Sequence, residues 1–318
     1  MFTPPDMALW QGRIDNEESP ALRWHQQIIA WDGERALNGA TVLLGFCCDE
    51  GVRRNQGRPG AYQGPTALRQ ALANLAYHQQ GLSYDAGNVS CDDYNLEVAQ
   101  SCLADQVTKI LQQGGRPIVI GGGHELAWGS FLGLAHYNQQ HAPQRRIGII
   151  NFDAHLDLRN PRPQANSGTP FRQIAEWCDV EQHPFRYLAL GINPHANTTA
   201  LFAFATKNSV TWRLDRDCTL LQLSELIATI ATFLQQIDDL YLTLCLDVFP
   251  TPGVSAPAAL GVEPIVVVKL LHTLKALCSQ YNVTPCLFDI AELNPSYDQD
   301  KLTAKLAARL VGEMVSNR

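Results

Sequence analysis

The densest set of reactive side chains lies in DAHLDLR, residues 153–159. Asp153, His155 and Asp157 stand at alternate positions directly after an apolar run, so on an extended chain they share one face. Burying two carboxylates beside one imidazole is unfavourable without a cation, and a divalent metal removes that penalty. Carboxylates with imidazole suit Mn²⁺, or less often Fe²⁺, Co²⁺ or Zn²⁺. The segment therefore predicts a metal site.

Three further apolar runs end in side chains that can bind a metal or carry a proton. In chain order these are His124, Cys245, Asp247 and Glu292. Ligands of open parallel α/β sheets bind beyond the carboxyl ends of the strands, so neighbouring strands would bring these groups into one crevice. The set exceeds what one tetrahedral ion needs. It favours a two-metal site in which a carboxylate bridges the ions and a shared water becomes hydroxide near neutral pH.

Short apolar segments alternate with helical segments along the chain and must position these groups. The predicted strands are 41–46, 117–122, 146–153, 186–192, 209–214, 240–249 and 284–293. Polar and apolar residues do not alternate strictly in these segments. Such continuous apolar runs are typical of strands in a parallel sheet that is buried on both faces. The predicted helices are 64–79, 96–114, 125–140, 224–237, 265–281 and 301–315.

This alternation predicts an α/β fold with a single doubly wound, mostly parallel sheet and helices on both faces. Residues 39–318 would form that domain, and residues 1–38 an N-terminal extension.

Composition narrows the functional classes. A net charge of −7 and the lack of a Lys/Arg-rich run argue against a nucleic-acid partner. No stretch of about 18 apolar residues occurs, and the first residues lack the pattern of a secretory signal, so no membrane partner is expected. Nine cysteines without a CxxC pair suit free thiols in a reducing compartment. We expect a cytoplasmic protein that acts on a small molecule.

The motifs together resemble the ureohydrolase (arginase/agmatinase) superfamily, whose hallmarks are GGxH, DAHxD, SxDxD and ExNP in that order. Here they read GGGHE at 121–125, DAHLD at 153–157, TLCLD at 243–247 and ELNP at 292–295. The resemblance implies an arginase-like fold, a homo-oligomer and two Mn²⁺ per subunit. The implied metal ligands are His124, Asp153, His155, Asp157, Cys245 and Asp247.

Within that superfamily the chain is most similar to the formimidoylglutamases, in the stretches 48–65, 153–159, 167–173, 190–198 and 245–257. Pro170 and Phe171 stand where arginases and agmatinases place a proton-shuttling histidine, which counts against arginase. The resemblance implies hydrolysis of N-formimidoyl-L-glutamate to L-glutamate and formamide, a step of histidine degradation. A metal-bridging hydroxide would attack the amidine carbon.

Specific roles follow from this chemistry. Asp157 would take the proton of the hydroxide and help move it to the leaving amine, and Glu292 would hold the cationic amidinium. Arg159 and Arg172 would bind the glutamate carboxylates, because a guanidinium pairs with a carboxylate in two parallel hydrogen bonds. A solvated surface arginine is an equal alternative for Arg172. The loop arginines Arg53, Arg54 and Arg58 would either line the entrance or brace the loop.

Two departures from the family pattern leave alternatives open. Cys245 stands where the family keeps a bridging aspartate, and a buried core thiol is the other interpretation of that residue. The loop after Asp247 is about three residues shorter than is usual in the family, which would reshape the pocket or loosen the second metal. The alternatives are a guanidinobutyrase or agmatinase, a metal-depleted non-catalytic relative, and a single-metal deacetylase, which the GGGHE and ELNP motifs disfavour.

Overall fold

One large sheet forms the frame of the protein in the computed structural model, which describes residues 1–15 and 21–316. Residues 16–20 and 317–318 of the two predicted ranges lie outside the described residues. The strands within the described part are β1 (Phe2–Thr3), β2 (Ile28–Ala30), β3 (Thr41–Cys47), β4 (Ser83–Ser90), β5 (Arg116–Gly121), β6 (Ile147–Phe152), β7 (Tyr187–Ile192), β8 (Thr211–Leu214), β9 (Asp239–Cys245) and β10 (Thr284–Ala291).

The sheet order is β1-β4-β3-β5-β10-β9-β6-β7-β8, with β2 paired to β4. Strand β1 runs antiparallel to β4, and the other pairs of the described sheet are parallel. The helices are α1 (Trp24–Gln27), α2 (Glu50–Arg54), α3 (Gly64–Ala73), α4 (Leu96–Gln112), α5 (Leu126–His141), α6 (Pro170–Val180), α7 (Thr199–Lys207), α8 (Leu223–Leu234), α9 (Pro264–Tyr281) and α10 (Leu302–Val315). None of the helices in the described residues is long and apolar enough to cross a membrane.

Two hydrophobic cores lie on opposite faces of the sheet. In β3, Leu43 joins the core built with α3, α8, α9 and α10. Its neighbours Val42 and Leu44 join the other core, with α4, α5, α6 and α7. Successive side chains of a strand point to opposite faces, so a strand between two cores must be apolar throughout. This confirms the prediction of a parallel sheet covered by helices on both faces.

The predicted N-terminal extension shares the sheet, because its strands β1 and β2 both pair with β4. Trp10 is buried, and its Nε1 donates a hydrogen bond to Asp85 of β4 at 2.8 Å. Asp85 also accepts from Arg69 Nε at 2.8 Å. Because the charge of Asp85 is paired, β4 can lie inside the sheet, next to β3, despite its polar sequence. That polar sequence gives β4 no apolar run, so it was missing from the predicted strands.

The predicted strand 240–249 is too long. Strand β9 ends at Cys245, and residues Leu246–Val248 form a turn of 3₁₀ helix. A strand over the whole apolar run 240–249 would place Cys245 and Asp247 on the same face, but Cys245 ends the strand and Asp247 lies in the turn. The turn lets these two side chains reach different neighbours at the carboxyl end of the sheet.

Candidate metal centre

Four neighbouring strands carry the predicted site residues at their carboxyl ends. Their order in the sheet is β5-β10-β9-β6. Strand β6 is followed directly by Asp153, β9 ends in Cys245, and β10 is followed by Glu292. Strand β5 leads to His124 through a glycine turn. A Cβ on Gly122 of that turn would lie 1.7 Å from the Cys48 carbonyl oxygen, so only glycine allows this close approach.

The two predicted histidine ligands lie on either side of Asp153. His124 Nδ1 is 2.9 Å from a carboxylate oxygen of Asp153 and 2.9 Å from one of Asp157. His155 Nδ1 is 3.0 Å from Asp247 and 3.6 Å from Asp153. All five of these residues were predicted from the DAHLD, GGGHE and TLCLD motifs, and the structure brings them together.

Two sets of potential ligand atoms share Asp153. His124, Asp153 and Cys245 offer atoms that all lie within 4.8 Å of one another. Asp153, His155 and Asp247 form a second such set. Cys245 and Asp247 thus belong to different sets, which the 3₁₀ turn after β9 permits. Two sets joined by one carboxylate have the form of a two-metal site.

The electrostatics of this cluster favour a cation. Burial, followed by the nearby Asp153, raises the pKa of Asp157 to about 6. Burial and then Asp153 also raise the pKa values of Asp247 and of the Cys245 thiol. Burial opposes ionisation of Asp153 as well, but contacts with both histidines outweigh it and lower its pKa. Buried carboxylates that repel one another are stabilised in their charged form by a divalent cation.

The residues present therefore fit a metal ion. His124 Nδ1 is buried and has no hydrogen-bond partner within the described chain, although two carboxylate oxygens lie close to it. An imidazole nitrogen among carboxylate oxygens is a ligand arrangement that Mn²⁺ accepts.

Three residues contact the predicted metal ligands, directly or through one another, and hold them in place, although the sequence did not predict this role for them: Asn151, Phe171 and Tyr187. Asn151 Nδ2 donates to Asp153 at 3.0 Å and to the hydroxyl of Tyr187 at 2.9 Å. The Phe171 ring meets the His124 ring edge-on, with centroids 5.3 Å apart, and stacks on Tyr187. Asn151 precedes Asp153 by two positions, so strand alternation was a signal that could have identified it.

Glu292 faces the cluster from β10. Its Oε1 accepts a 2.7 Å hydrogen bond from the backbone N–H of His124, whereas its Oε2 is buried without a hydrogen-bond partner among the described residues. Burial and the nearby Asp247 raise its pKa to about 7. Glu292 has φ of 70°, and Asp157 has φ of 48°, both in the left-handed region. Such backbone conformations in non-glycine residues cluster at functional sites.

The two arginines predicted to bind substrate differ in their surroundings. Arg159 is exposed, follows the metal motif and has no ion pair with another described residue. Arg172 donates to Glu176 at 3.1 Å, and its guanidinium lies 4.0 Å from the Phe204 ring centroid. Arg159 is therefore free of ion pairs among the described residues, whereas Arg172 is engaged by Glu176 and Phe204.

The arginines of the 48–65 loop brace the backbone. Arg53 and Arg54 both pair with Glu50. Arg58 donates to the carbonyl oxygens of Pro252 and Val254, in the loop that follows β9 and its 3₁₀ turn. These contacts favour the structural alternative for the three arginines, and those of Arg58 tie its own segment to the loop after β9.

Comparison with known proteins agrees with this geometry. Residues 40–316 match the arginase family. A formimidoylglutamase from Aeromonas hydrophila subsp. hydrophila is 47% identical over 318 residues, which cover 99% of each chain. A formimidoylglutamase from Ralstonia nicotianae is 48% identical over 320 residues, covering 99% of this chain and 97% of that protein.

Solved structures share the fold at lower identity. The formimidoylglutamase of Bacillus subtilis has a TM-score of 0.78 at 21% identity, covering 94% of this chain and 92% of that one. The Trypanosoma cruzi formiminoglutamase solved with Mn²⁺ has a TM-score of 0.75 at 24% identity, covering 89% and 94%. The arginase-like fold predicted from the motifs is confirmed, and the chain belongs to the arginase family.

Proposed function

We propose that the protein hydrolyses N-formimidoyl-L-glutamate to L-glutamate and formamide with manganese as cofactor. The observation that carries the proposal is the pair of ligand sets sharing Asp153 at the carboxyl ends of four adjacent strands. Support for this substrate comes from relatives that are 47% and 48% identical over almost the whole chain and are named formimidoylglutamase.

Two Mn²⁺ ions would be held by His124, Asp153, His155, Asp157, Cys245 and Asp247. When bound, the ions supply a Lewis acid and make hydroxide available from water near neutral pH. The T. cruzi structural neighbour was solved with Mn²⁺, which supports the choice of this metal. The Phe171 ring packs edge-on against His124 and stacks on Tyr187, which places an aromatic wall beside this ligand.

Asp157 and Glu292 are the proposed catalytic residues. Water adds to the amidine carbon, the bond from that carbon to the glutamate nitrogen breaks, and the leaving amine takes up a proton. Asp157 is buried and its pKa is raised to about 6, so it can accept the proton of the attacking water and deliver it to the amine. The unpartnered Oε2 of Glu292 would accept a hydrogen bond from the amidinium.

Arg159 is the proposed anchor of a substrate carboxylate. It is exposed beside the metal motif, and Gly168 opposite it leaves room, since a Cβ there would lie 2.9 Å from Arg159 Cδ. Arg172 is the second proposed anchor and would have to leave Glu176 to act. Two guanidinium anchors for carboxylates would favour N-formimidoyl-L-glutamate, which carries two carboxylates, over arginine and guanidinobutyrate, which carry one, and agmatine, which carries none.

We further propose that the enzyme acts in the cytoplasm. The nine cysteines are all free, which suits a reducing cytoplasm. The reaction would belong to histidine degradation. A homo-oligomer is expected from the family, and light scattering of the purified protein would measure its size.

A substrate panel tests the proposal. The Mn²⁺-loaded protein is assayed with N-formimidoyl-L-glutamate, arginine, agmatine and guanidinobutyrate, and the release of formamide, ammonia and urea is resolved. We expect the highest kcat/KM for N-formimidoyl-L-glutamate, with formamide as product. A higher kcat/KM for any guanidine would replace this function with that of another ureohydrolase, and failure to bind micromolar Mn²⁺ would favour a non-catalytic relative.

A further inference from the structure

Thr243 contacts the side of His124 that faces away from the ligand cluster. His124 Nε2 lies 2.9 Å from Thr243 Oγ1, while Nδ1 faces Asp153 and Asp157. Histidine binds a metal through the nitrogen that carries no proton, so a metal at Nδ1 requires the proton on Nε2. In that tautomer His124 donates its proton to Thr243.

The hydroxyl of Thr243 then needs an acceptor for its own proton. Asp289 of β10 is the cross-strand partner of Thr243 in the parallel register with β9, so both side chains lie on the same face of the sheet. Asp289 is fully buried, and its Oδ1 has no hydrogen-bond partner within the described residues. Its Oδ2 accepts a hydrogen bond from the hydroxyl of Tyr241.

A buried carboxylate oxygen without a partner is unfavourable, and the hydroxyls of Thr243 and Ser130, which both lie beside Asp289, can satisfy it. We propose that Asp289 is a positioning residue for the metal ligand His124, acting through Thr243: Nε2–H donates to the threonine hydroxyl, and that hydroxyl donates to Asp289 Oδ1. The inference rests on the metal site of the proposed function but not on the identity of the substrate.

This arrangement would fix both the tautomer and the ring orientation of His124. A hydroxyl that donates to a carboxylate can only accept from the imidazole, so the proton stays on Nε2 and Nδ1 remains free. Burial raises the pKa of Asp289 to about 6, which still leaves the carboxylate ionised at neutral pH. Contacts behind a metal-bound histidine typically change metal affinity by about 10- to 100-fold.

The test measures Mn²⁺ affinity by equilibrium dialysis and elemental analysis, without substrate. The variants are Thr243→Val, Thr243→Ser, Asp289→Asn and the double variant Thr243→Val/Asp289→Asn. Thr41→Val is the matched control, since Thr41 is also a buried strand threonine and donates at 3.0 Å to Gln79. Thermal unfolding of each metal-free variant measures any purely structural effect.

We expect Thr243→Val to weaken Mn²⁺ binding about 10- to 100-fold, and Thr243→Ser to restore binding to within about threefold of wild type. Asp289→Asn should weaken binding in the same direction. The double variant should be no weaker than Thr243→Val alone, because the two residues act in series. Thr41→Val should bind as wild type does.

Several results would overturn the inference. These are wild-type affinity in Thr243→Val, equal losses in Thr243→Ser and Thr243→Val, wild-type affinity in Asp289→Asn, or additive losses in the double variant. Equal Mn²⁺ affinity in wild type and all the variants would remove the positioning role but leave the proposed function intact. A wild-type protein that binds no Mn²⁺ overturns both.

Discussion

Replacing Cys245 with aspartate should tighten the binding of manganese. The Cys245 side chain is 1% exposed, and its sulfur belongs to the ligand set with His124 and Asp153. Aspartate is the residue that the family pattern places here, and its oxygen is a harder ligand that Mn²⁺ prefers to sulfur. The substitution therefore tests whether the thiol is a ligand that weakens one of the two metal positions.

The size of the expected change in Mn²⁺ affinity follows from the cost of removing the proton from the Cys245 sulfur. A thiol binds a metal as the thiolate, and removing its proton at pH 7 from an ordinary pKa of about 8.5 costs about 2 kcal/mol, roughly 30-fold in affinity. Burial, followed by the carboxylates around it, raises the pKa of Cys245 further, so this value is a lower limit. An aspartate carboxyl in contact with a cation is ionised at pH 7 and carries no such penalty.

A calorimetric titration of the metal-free protein with Mn²⁺ at pH 7 measures the affinity of the weaker of the two metal sites. Cys245→Asp should bind at least about 30-fold more tightly there than wild type. Cys245→Ser is the matched control, because it removes the thiol without supplying a carboxylate and should bind more weakly. Equal metal content and equal affinity in wild type, Cys245→Asp and Cys245→Ser would show that Cys245 is a buried core thiol and not a metal ligand.

Four further perturbations have defined outcomes. Glu292→Gln removes the charge opposite the amidinium and should lower kcat/KM roughly 100-fold, about 3 kcal/mol, in steady-state assays. Arg159→Ala should raise KM for N-formimidoyl-L-glutamate about 5- to 10-fold with little change in kcat, whereas Arg162→Ala, on the same loop, should not. Burial raises the pKa of Glu292 to about 7, so the folded metal-free chain binds more protons than the unfolded chain between about pH 4 and 7. Its Tm should therefore fall as pH rises through that window, and added Mn²⁺ should raise Tm more at pH 8 than at pH 5.5. Trp10→Phe removes the hydrogen bond to Asp85 and should destabilise the fold by about 1–3 kcal/mol in chemical denaturation, without loss of bound Mn²⁺.

Each of these outcomes can fail in a distinct way. Full activity of Glu292→Gln would remove the amidinium contact, and an unchanged KM in Arg159→Ala would assign the carboxylate contact to another group. A Tm that stays constant or rises between pH 5 and 7 would contradict the raised pKa values of the site. Wild-type stability of Trp10→Phe would mean that the N-terminal stretch contributes little to the fold.

The site was predictable because its ligands follow strand ends within short motifs. Asp153 and His124 each come directly after an apolar run or a glycine turn, and the run itself identifies the strand. Since β5, β10, β9 and β6 are adjacent, their carboxyl ends had to meet. The ligands could be predicted without knowing the sheet order, because each of them lies within a motif that resembles the family pattern.

Other features depend on tertiary contacts that no local pattern contains. Strand β4 is polar, and the buried pairing of Asp85 with Arg69 offsets the cost of placing a charged side chain in the sheet. The end of β9 at Cys245 follows from the 3₁₀ turn that carries Asp247, which an apolar run through Phe249 conceals. Asp289 lies in a strand sequence, and its relation to Thr243 exists only through the register of β10 on β9.

The most direct test of the proposed function is the product of the reaction as a function of bound metal. N-formimidoyl-L-glutamate is followed by NMR with metal-free protein and with protein carrying one or two Mn²⁺ per subunit. We expect stoichiometric L-glutamate and formamide, at a rate that rises with manganese content and is negligible without it. Turnover that is independent of manganese, or fully metal-loaded protein that leaves this substrate intact while it hydrolyses a guanidine, would contradict it.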